Sequence, residues 1–213
     1  MSQADLDVWL QTLHMAMSQK SNDIVFTGRG MLRSLGRKGT GKRDLDWLSE
    51  SISKLAANLV TVENKTLGVR YRGPLITRSL DVHDGARYVV GIDPVIANYF
   101  AEGFTRMHWE TRLALNGDLT KWLHGYVCSH EATYRNPSKI GLVKLKELCG
   151  SEGKALRNFR LAVRKSMAQL VDNGVVATWS LDEDVLSFAR SKKRAEMITA
   201  HVEHGRQNIL PSP

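Results

Sequence analysis

Residues 154–173, KALRNFRLAVRKSMAQLVDN, separate apolar from basic side chains more sharply than any other stretch of the chain. Leu156, Phe159, Val163, Met167 and Leu170 recur at three- and four-residue spacing. That period predicts an amphipathic helix with this stripe turned inward. Lys154, Arg157, Asn158, Arg160, Leu161, Arg164 and Lys165 occupy the rest of its first three turns, and no acid stands between Lys154 and Gln169. Asn173-Gly174 predicts a helix stop through a left-handed glycine. Upstream, a helix at 118–131 is broken at Asn136-Pro137, Val143 to Leu148 form a short helix, and Cys149-Gly150-Ser151 turns the chain. Downstream, VVATWSL and VLSFAR flank Asp182-Glu183-Asp184 as a hairpin. Helix, short helix, turn, long helix and hairpin make up a winged helix.

The charge is concentrated where the pattern puts the long helix. Residues 135–170 carry nine Lys/Arg (135, 139, 144, 146, 154, 157, 160, 164, 165) against two acids (147, 152), a local +7 in a chain whose net charge is +8. An α-helix fits the major groove of double-stranded DNA, where Arg can bond guanine and Asn can bond adenine in bidentate fashion. The N-terminal part of such a helix normally faces the bases. Lys139, Lys144 and Lys146, on the segment before it, suit phosphate, and each phosphate neutralised releases counterions and makes affinity salt-dependent. The plainer alternative is a solvated basic helix face. The position after a helix and a turn favours the reader.

The first half runs in a similar order. Residues 4–18 place Leu6, Leu10, Leu13 and Met17 at helical spacing beside Trp9. Ile24-Val25-Phe26 reads as a short strand, and Thr27 as the cap of a short helix through Leu35. A basic glycine-rich turn follows, and then a helix over 44–59 with Asp44 as its expected N-cap. Its apolar face is Leu45, Leu48, Ile52, Leu55 and Leu59. VTVEN, LGVRYRG, PLITRSLDV and ARYVVGI then read as one antiparallel set of strands, and Pro94 opens a short helix through Phe100. Arg29, Arg33, Arg37, Lys38, Lys42 and Arg43 give +6 within 28–43 without an acid, but the next helix carries Asp44, Asp46 and Glu50. The first unit therefore reads as a phosphate clamp or interaction domain, through Arg37, Lys38, Lys42 and Arg43, and the second as the main base reader. The expected architecture is α+β, mostly helical, with two tandem winged-helix domains at 1–103 and 104–190 and a flexible tail at 191–213.

The 213 residues, 42% hydrophobic and 24% charged, are a globular balance. A pI near 9.6 suits a polyanionic partner. No apolar run approaches the roughly 18 residues of a membrane span, and MSQADLDVWL is not a secretory signal. Two cysteines, Cys128 and Cys149, are too few for a disulfide framework, so a cytoplasmic location is expected.

Gly36 to Lys42 spells G-x-x-x-x-G-K, the shape of a phosphate-binding loop, and suggests a nucleotide-dependent enzyme. That chemistry needs a preceding strand and a Ser/Thr for magnesium. Here Arg43 follows, and the preceding segment reads as helical. His124, Cys128 and His130, with Cys149 not far off, have conceivable metal spacing, but a small buried Cys is the commoner case. Asp182-Glu183-Asp184, and Asp81 and His83 near Asp84-Gly85, suit turn tips. No nucleophile, base and orienting group stand together, so the expectation is no enzyme, no cofactor and no metal.

With these motifs placed, the order of several local features carries a family likeness. Asp5 to Trp9 is an acidic stretch before a Trp. Trp109-Glu110 begins the linking helix, and Ser129-His130 closes the next. Cys149-Gly150-Ser151 is followed, eight residues after the Ser, by Phe159-Arg160; Leu170 precedes Gly174-Val175-Val176, and the hairpin ends near Arg190. In this order and spacing, over most of 5–190, the chain resembles the TrfA family of plasmid replication initiators, which bind iterons at the plasmid origin. The resemblance implies two winged-helix domains contacting DNA together, with origin opening and helicase loading as the outcome. It also implies a homodimer formed through the first domain with the monomer active at the origin, and host initiator and helicase as partners. Its implied contact residues fall on the 154–165 helix face and the Arg37 to Arg43 turn. The family's strands before the first helix, its longer N-terminal region and a glutamine-led clamp-binding motif have no counterpart here, which suits a short relative or a piece of a longer chain. The alternative function is a winged-helix transcriptional regulator or repressor without initiator activity.

Overall fold

The computed structural model describes residues 1–64, 68–82, 86–99, 107–151, 153 and 155–191. Lys154, His83 with Asp84-Gly85, Phe100, the expected boundary at 103/104 and the tail beyond Ser191 lie outside the described residues. The chain divides into two compact units, Met1–Phe104 and Thr105–Pro213.

In the first unit, α1 (Gln3–Gln19) starts with a capping box. The Ser2 hydroxyl accepts from the Asp5 N–H, and the Asp5 carboxylate accepts from the Ser2 N–H at 2.7 Å. The face it buries is Val8, Trp9, Leu13 and Ala16, with Leu6 and Leu10 only partly covered and Met17 55% exposed. This corrects the expected Leu6 to Met17 line. Trp9 is the largest apolar side chain of the helix and turns its own side inward. Asp5 and Thr12 can follow because the Ser51 hydroxyl donates to Asp5 and the Thr12 hydroxyl donates to the Val8 carbonyl.

β1 (Asp23–Phe26) runs into Thr27, whose hydroxyl accepts the Gly30 N–H at 3.1 Å and caps α2 (Gly28–Ser34). α3 (Lys42–Ala57) begins at Gly41 rather than at Asp44. Asp44 lies inside the first turn, where its charge suits the helix dipole. Leu48, Ile52 and Leu55 are buried, but Leu59 is 68% exposed, because the helix stops at Ala57 and Leu59 opens β2 (Leu59–Asn64).

The expected single set of strands is two sheets. β2 pairs with β3 (Val69–Pro74) as an isolated hairpin. β4 (Arg78–Val82) and β5 (Arg87–Gly91) instead join β1 in the antiparallel order β1-β5-β4. The split falls after Pro74, where Leu75 and Ile76 are buried and the Ile76 N–H bonds the Leu55 carbonyl. Those two anchors redirect the chain over α3. Placing β5 beside β1 also buries Ile24 and Phe26 on the same face as Tyr88 and Val90. α4 (Pro94–Tyr99) follows.

The second unit opens with α5 (Trp109–Ala114) and α6 (Asp118–Cys128). α6 ends three residues earlier than the expected 131, in a turn where the Ser129 hydroxyl bonds the Tyr126 carbonyl. β6 (Ser138–Gly141), which the sequence reading does not contain, precedes α7 (Leu142–Leu148). Four residues with an Asn-Pro break before them and a glycine at the end carry too little period to register as a strand; their pairing with a distant partner forms it. α8 (Leu156–Asp172) is followed by β7 (Val176–Asp182) and β8 (Val185–Arg190), and the sheet order is β6-β8-β7. Leu123, Val127, Leu142, Leu145 and Phe188 close over the buried stripe Phe159, Val163, Met167 and Leu170 of α8. The architecture is α+β, with helices over small antiparallel sheets.

Candidate nucleic-acid interface

α8 is held from behind by groups that leave its outer face free. The Thr120 hydroxyl of α6 donates to the Ser166 hydroxyl at 2.9 Å, and the Asn116 N–H donates to Gln169 Oε1 at 2.7 Å. The helix ends in a Schellman motif, with Gly174 at φ 67°, the Gly174 N–H on the Val171 carbonyl and the Val175 N–H on that of Leu170. Its start is different. Ala155 supplies no side-chain cap, and the first turn holds Arg157 and no acid. A cation at the positive end of the dipole is locally unfavourable. A helix start without a side-chain cap from Ala155, beside a guanidinium, suits an anion.

Arg157, Asn158, Leu161, Arg164 and Lys165 form the exposed face of α8. Among the described residues, Arg157, Asn158 and Lys165 make no hydrogen bond or ion pair, and so can meet a ligand without first breaking one. Arg160 and Arg164 are engaged inside the unit. Arg160 Nε donates to Asp184 Oδ1 at 2.7 Å, and Arg164 Nη2 donates to the Leu181 carbonyl at 3.4 Å. The β7–β8 hairpin is therefore tied to α8 by two of the cations expected to face DNA, and the Leu142 N–H holds the same tip through the Asp184 carbonyl at 2.7 Å.

On the flanking segment, Lys139 is exposed on β6 without a described partner. Lys144 is exposed on α7 and bonds Glu147 Oε2 at 3.0 Å. An exposed pair of that kind is worth at most about 1 kcal/mol and is readily given up to a phosphate. Lys146 is half-buried and already engaged.

The first unit brings a smaller set together. Arg37 is drawn inward: Nη1 lies 3.1 Å from Asp44 Oδ1, and its guanidinium carbon sits 3.4 Å from the centroid of the Trp47 ring. It braces the turn. Lys38, Lys42 and Arg43 are exposed around the uncapped start of α3, as are Arg29 and Arg33 on α2. Further along α3 the exposed face carries Asp46 and Glu50, the latter paired with Lys54 at 2.8 Å. This helix offers cations at its start and acids along its side, so laying it along a groove would set carboxylates against phosphates.

Site reasoning from sequence passed over the β2–β3 hairpin. Arg70 and Arg72 are both exposed there on one face, with buried Tyr71 between them on the other. Arg70 pairs with Glu63 at 3.2 Å. The alternation of VRYRG carries that signal.

The other motifs fare differently. Gly36 follows α2, so a helix and not a strand leads into the loop. Among the described residues, no group of three or more His, Cys, Asp or Glu is placed to hold a metal ion. Burial pushes the Cys128 thiol up, against the opposing pull of Arg190 and Arg112.

The family model described as TrfA protein matches residues 2–190. No curated protein sequence matches the chain. Among solved structures, domains 2–3 of RctB align with a TM-score of 0.60 at 13% identity, over 91% of this chain and 84% of that one. The Pi initiator protein, solved in complex with iteron DNA, aligns with a TM-score of 0.59 at 13% identity, over 80% of this chain and 82% of that one. At such identities the likeness is one of fold.

Proposed function

This chain belongs to the TrfA family, and from that premise we propose that it is a plasmid replication initiator. It binds direct repeats at a plasmid origin and promotes origin opening and helicase loading. The observation that carries the reading is the outer face of α8. Among the described residues, Arg157, Asn158 and Lys165 stand unengaged, on a rigidly backed helix whose first sixteen residues contain no acid. Arg and Asn are the side chains that make bidentate bonds to guanine and adenine. A fold shared with an initiator solved on iteron DNA adds to it.

In this reading the second unit reads bases and the first grips phosphate through Lys38, Lys42 and Arg43. Lys139 and Lys144 grip phosphate beside α8, while Arg160 and Arg164 set the hairpin against it. The work is binding and strand opening rather than covalent chemistry. No described helix is long and apolar enough to cross a membrane, and we place the protein in the cytoplasm with its DNA. Self-association through the first unit and recruitment of a host initiator and helicase belong to the same proposal.

Footprinting tests it. The chain is expected to protect direct repeats of a plasmid origin at moderate salt and to open the adjacent duplex. Repeats bound no better than random duplex would sink the proposal. Protection without opening would reassign the protein as a regulator.

A further inference from the structure

Leu161 stands 60% exposed in the middle of the polar face of α8. Its neighbours one turn back are Arg157 and Asn158, and one turn on are Arg164 and Lys165. It lies outside the buried core and the apolar side chains packed against it. Burying a leucine fully is worth about 1.5–3 kcal/mol, so this position leaves most of that gain unrealised in the free protein. A surface leucine by itself means little. Here it is enclosed by the very side chains that suit a groove, and its occupant must tolerate Arg157, Arg164 and Lys165 around it. Those charges favour a polyanion over an apolar protein surface.

Resting on the reading of α8 as the base-contacting helix, we infer that Leu161 recognises the C5-methyl group of a thymine in the major groove. Apart from that methyl, the base edges in this groove present hydrogen-bond donors and acceptors, so the methyl is the feature a leucine can match. The helix rise of about 1.5 Å per residue puts Leu161 roughly 6 Å along the axis from Arg157. With about 3.4 Å per base pair, the thymine lies within about two base pairs of the base met by Arg157 or Asn158. Arg157 and Asn158 supply hydrogen-bond readout, and Leu161 adds shape readout at an adjacent A·T pair.

The test uses the full chain and the duplex it prefers from a random pool. Each thymine of that duplex is replaced singly by deoxyuridine, which removes the methyl and leaves the pairing edge unchanged. One replacement is expected to weaken binding by about fourfold, the worth of one buried methyl group. Leu161→Ala should bind the thymine and uracil duplexes equally, and Leu161→Met should restore part of the discrimination. Thermal unfolding of both variants should match the parent, since the side chain is exposed. A preferred duplex in which no thymine is sensitive to uracil, or a Leu161→Ala variant that still discriminates, overturns the inference and leaves the initiator reading intact. A chain that prefers no duplex at all overturns both.

Discussion

At the scale of single residues, the cations of α8 differ in what they already touch. Arg157 is exposed and unengaged among the described residues, whereas Arg160 is bonded to Asp184. Replacing Arg157 or Asn158 by Ala should relax sequence preference and weaken specific binding by about 1–3 kcal/mol, read by competition between preferred and random duplexes. Arg160→Ala should leave the preference unchanged and lower stability by at most about 1 kcal/mol, since its ion pair is more than one-third exposed on each side. A common loss of preference in both variants would refute the division. Asp5 makes a separate prediction. Burial alone would raise its carboxyl, but hydrogen bonds from the Ser2 N–H, the Ser51 hydroxyl and the Ser2 hydroxyl, with the charge of Lys54, hold it below its ordinary value. The unfolded chain then takes up this proton first as pH falls. The stabilisation is complete above the ordinary carboxylate value of about 3.9 and is lost as pH drops through the lower folded value. Asp5→Asn should flatten the acid limb of a stability-against-pH curve; an unchanged limb would remove Asp5 from the account.

At the scale of elements, periodicity was legible wherever an element packs on its own apolar stripe. α8 is the clearest case, since Phe159, Val163, Met167 and Leu170 of its expected stripe are buried as spaced, with Leu156 at its start only partly covered. It misplaced the inward face of α1, where burial of Asp5 and Thr12 depends on partners the period does not include. It also set the start of α3 at Asp44, because an aspartate's capping preference says nothing of an Arg37 already waiting for it. The β1-β5-β4 sheet carries a prediction of its own. Val25, Leu80 and Val82 are exposed on the face opposite its buried side, and β1 and β4 are both edges within that sheet. The same face carries the Arg78–Asp23 ion pair and exposed Arg87, so it is a mixed surface, and exposed apolar side chains beside open edges suit pairing with another copy. Leu80→Lys should shift sedimentation towards the monomer while preserving DNA binding. A wild-type chain that sediments as monomer at every concentration would dismiss self-association.

At the scale of the whole molecule, the proposal is that the two units share one duplex. The cations of the first unit, Lys38, Lys42 and Arg43, should then contribute to affinity without choosing sequence. Their joint replacement by Ala should reduce the slope of log affinity against log salt by up to about 0.9 per lost phosphate contact, with the same preferred site. An unchanged slope would place that unit away from DNA. Local sequence order made the α+β class and the family likeness readable across 5–190, because both depend on features close together in the chain. The division of the binding between the units is likewise read from local charge, in the basic turn before an acidic helix in one unit and the basic helix in the other, and it stays a proposal.

The basic helix was already legible in the sequence: its inward stripe, glycine stop and acid-free face all arise from spacings within twenty residues, although it starts at Leu156 rather than at Lys154. Which of its cations already hold a partner within the unit was decided by tertiary structure. Asp184 lies 24 residues from Arg160 and Leu181 lies 17 from Arg164, and only the fold of the hairpin onto the helix brings them together. The same holds for Arg37, which the fold sets against Asp44 and Trp47. A charge is a property of the residue, but its freedom to meet a ligand depends on what the folded chain has already placed beside it.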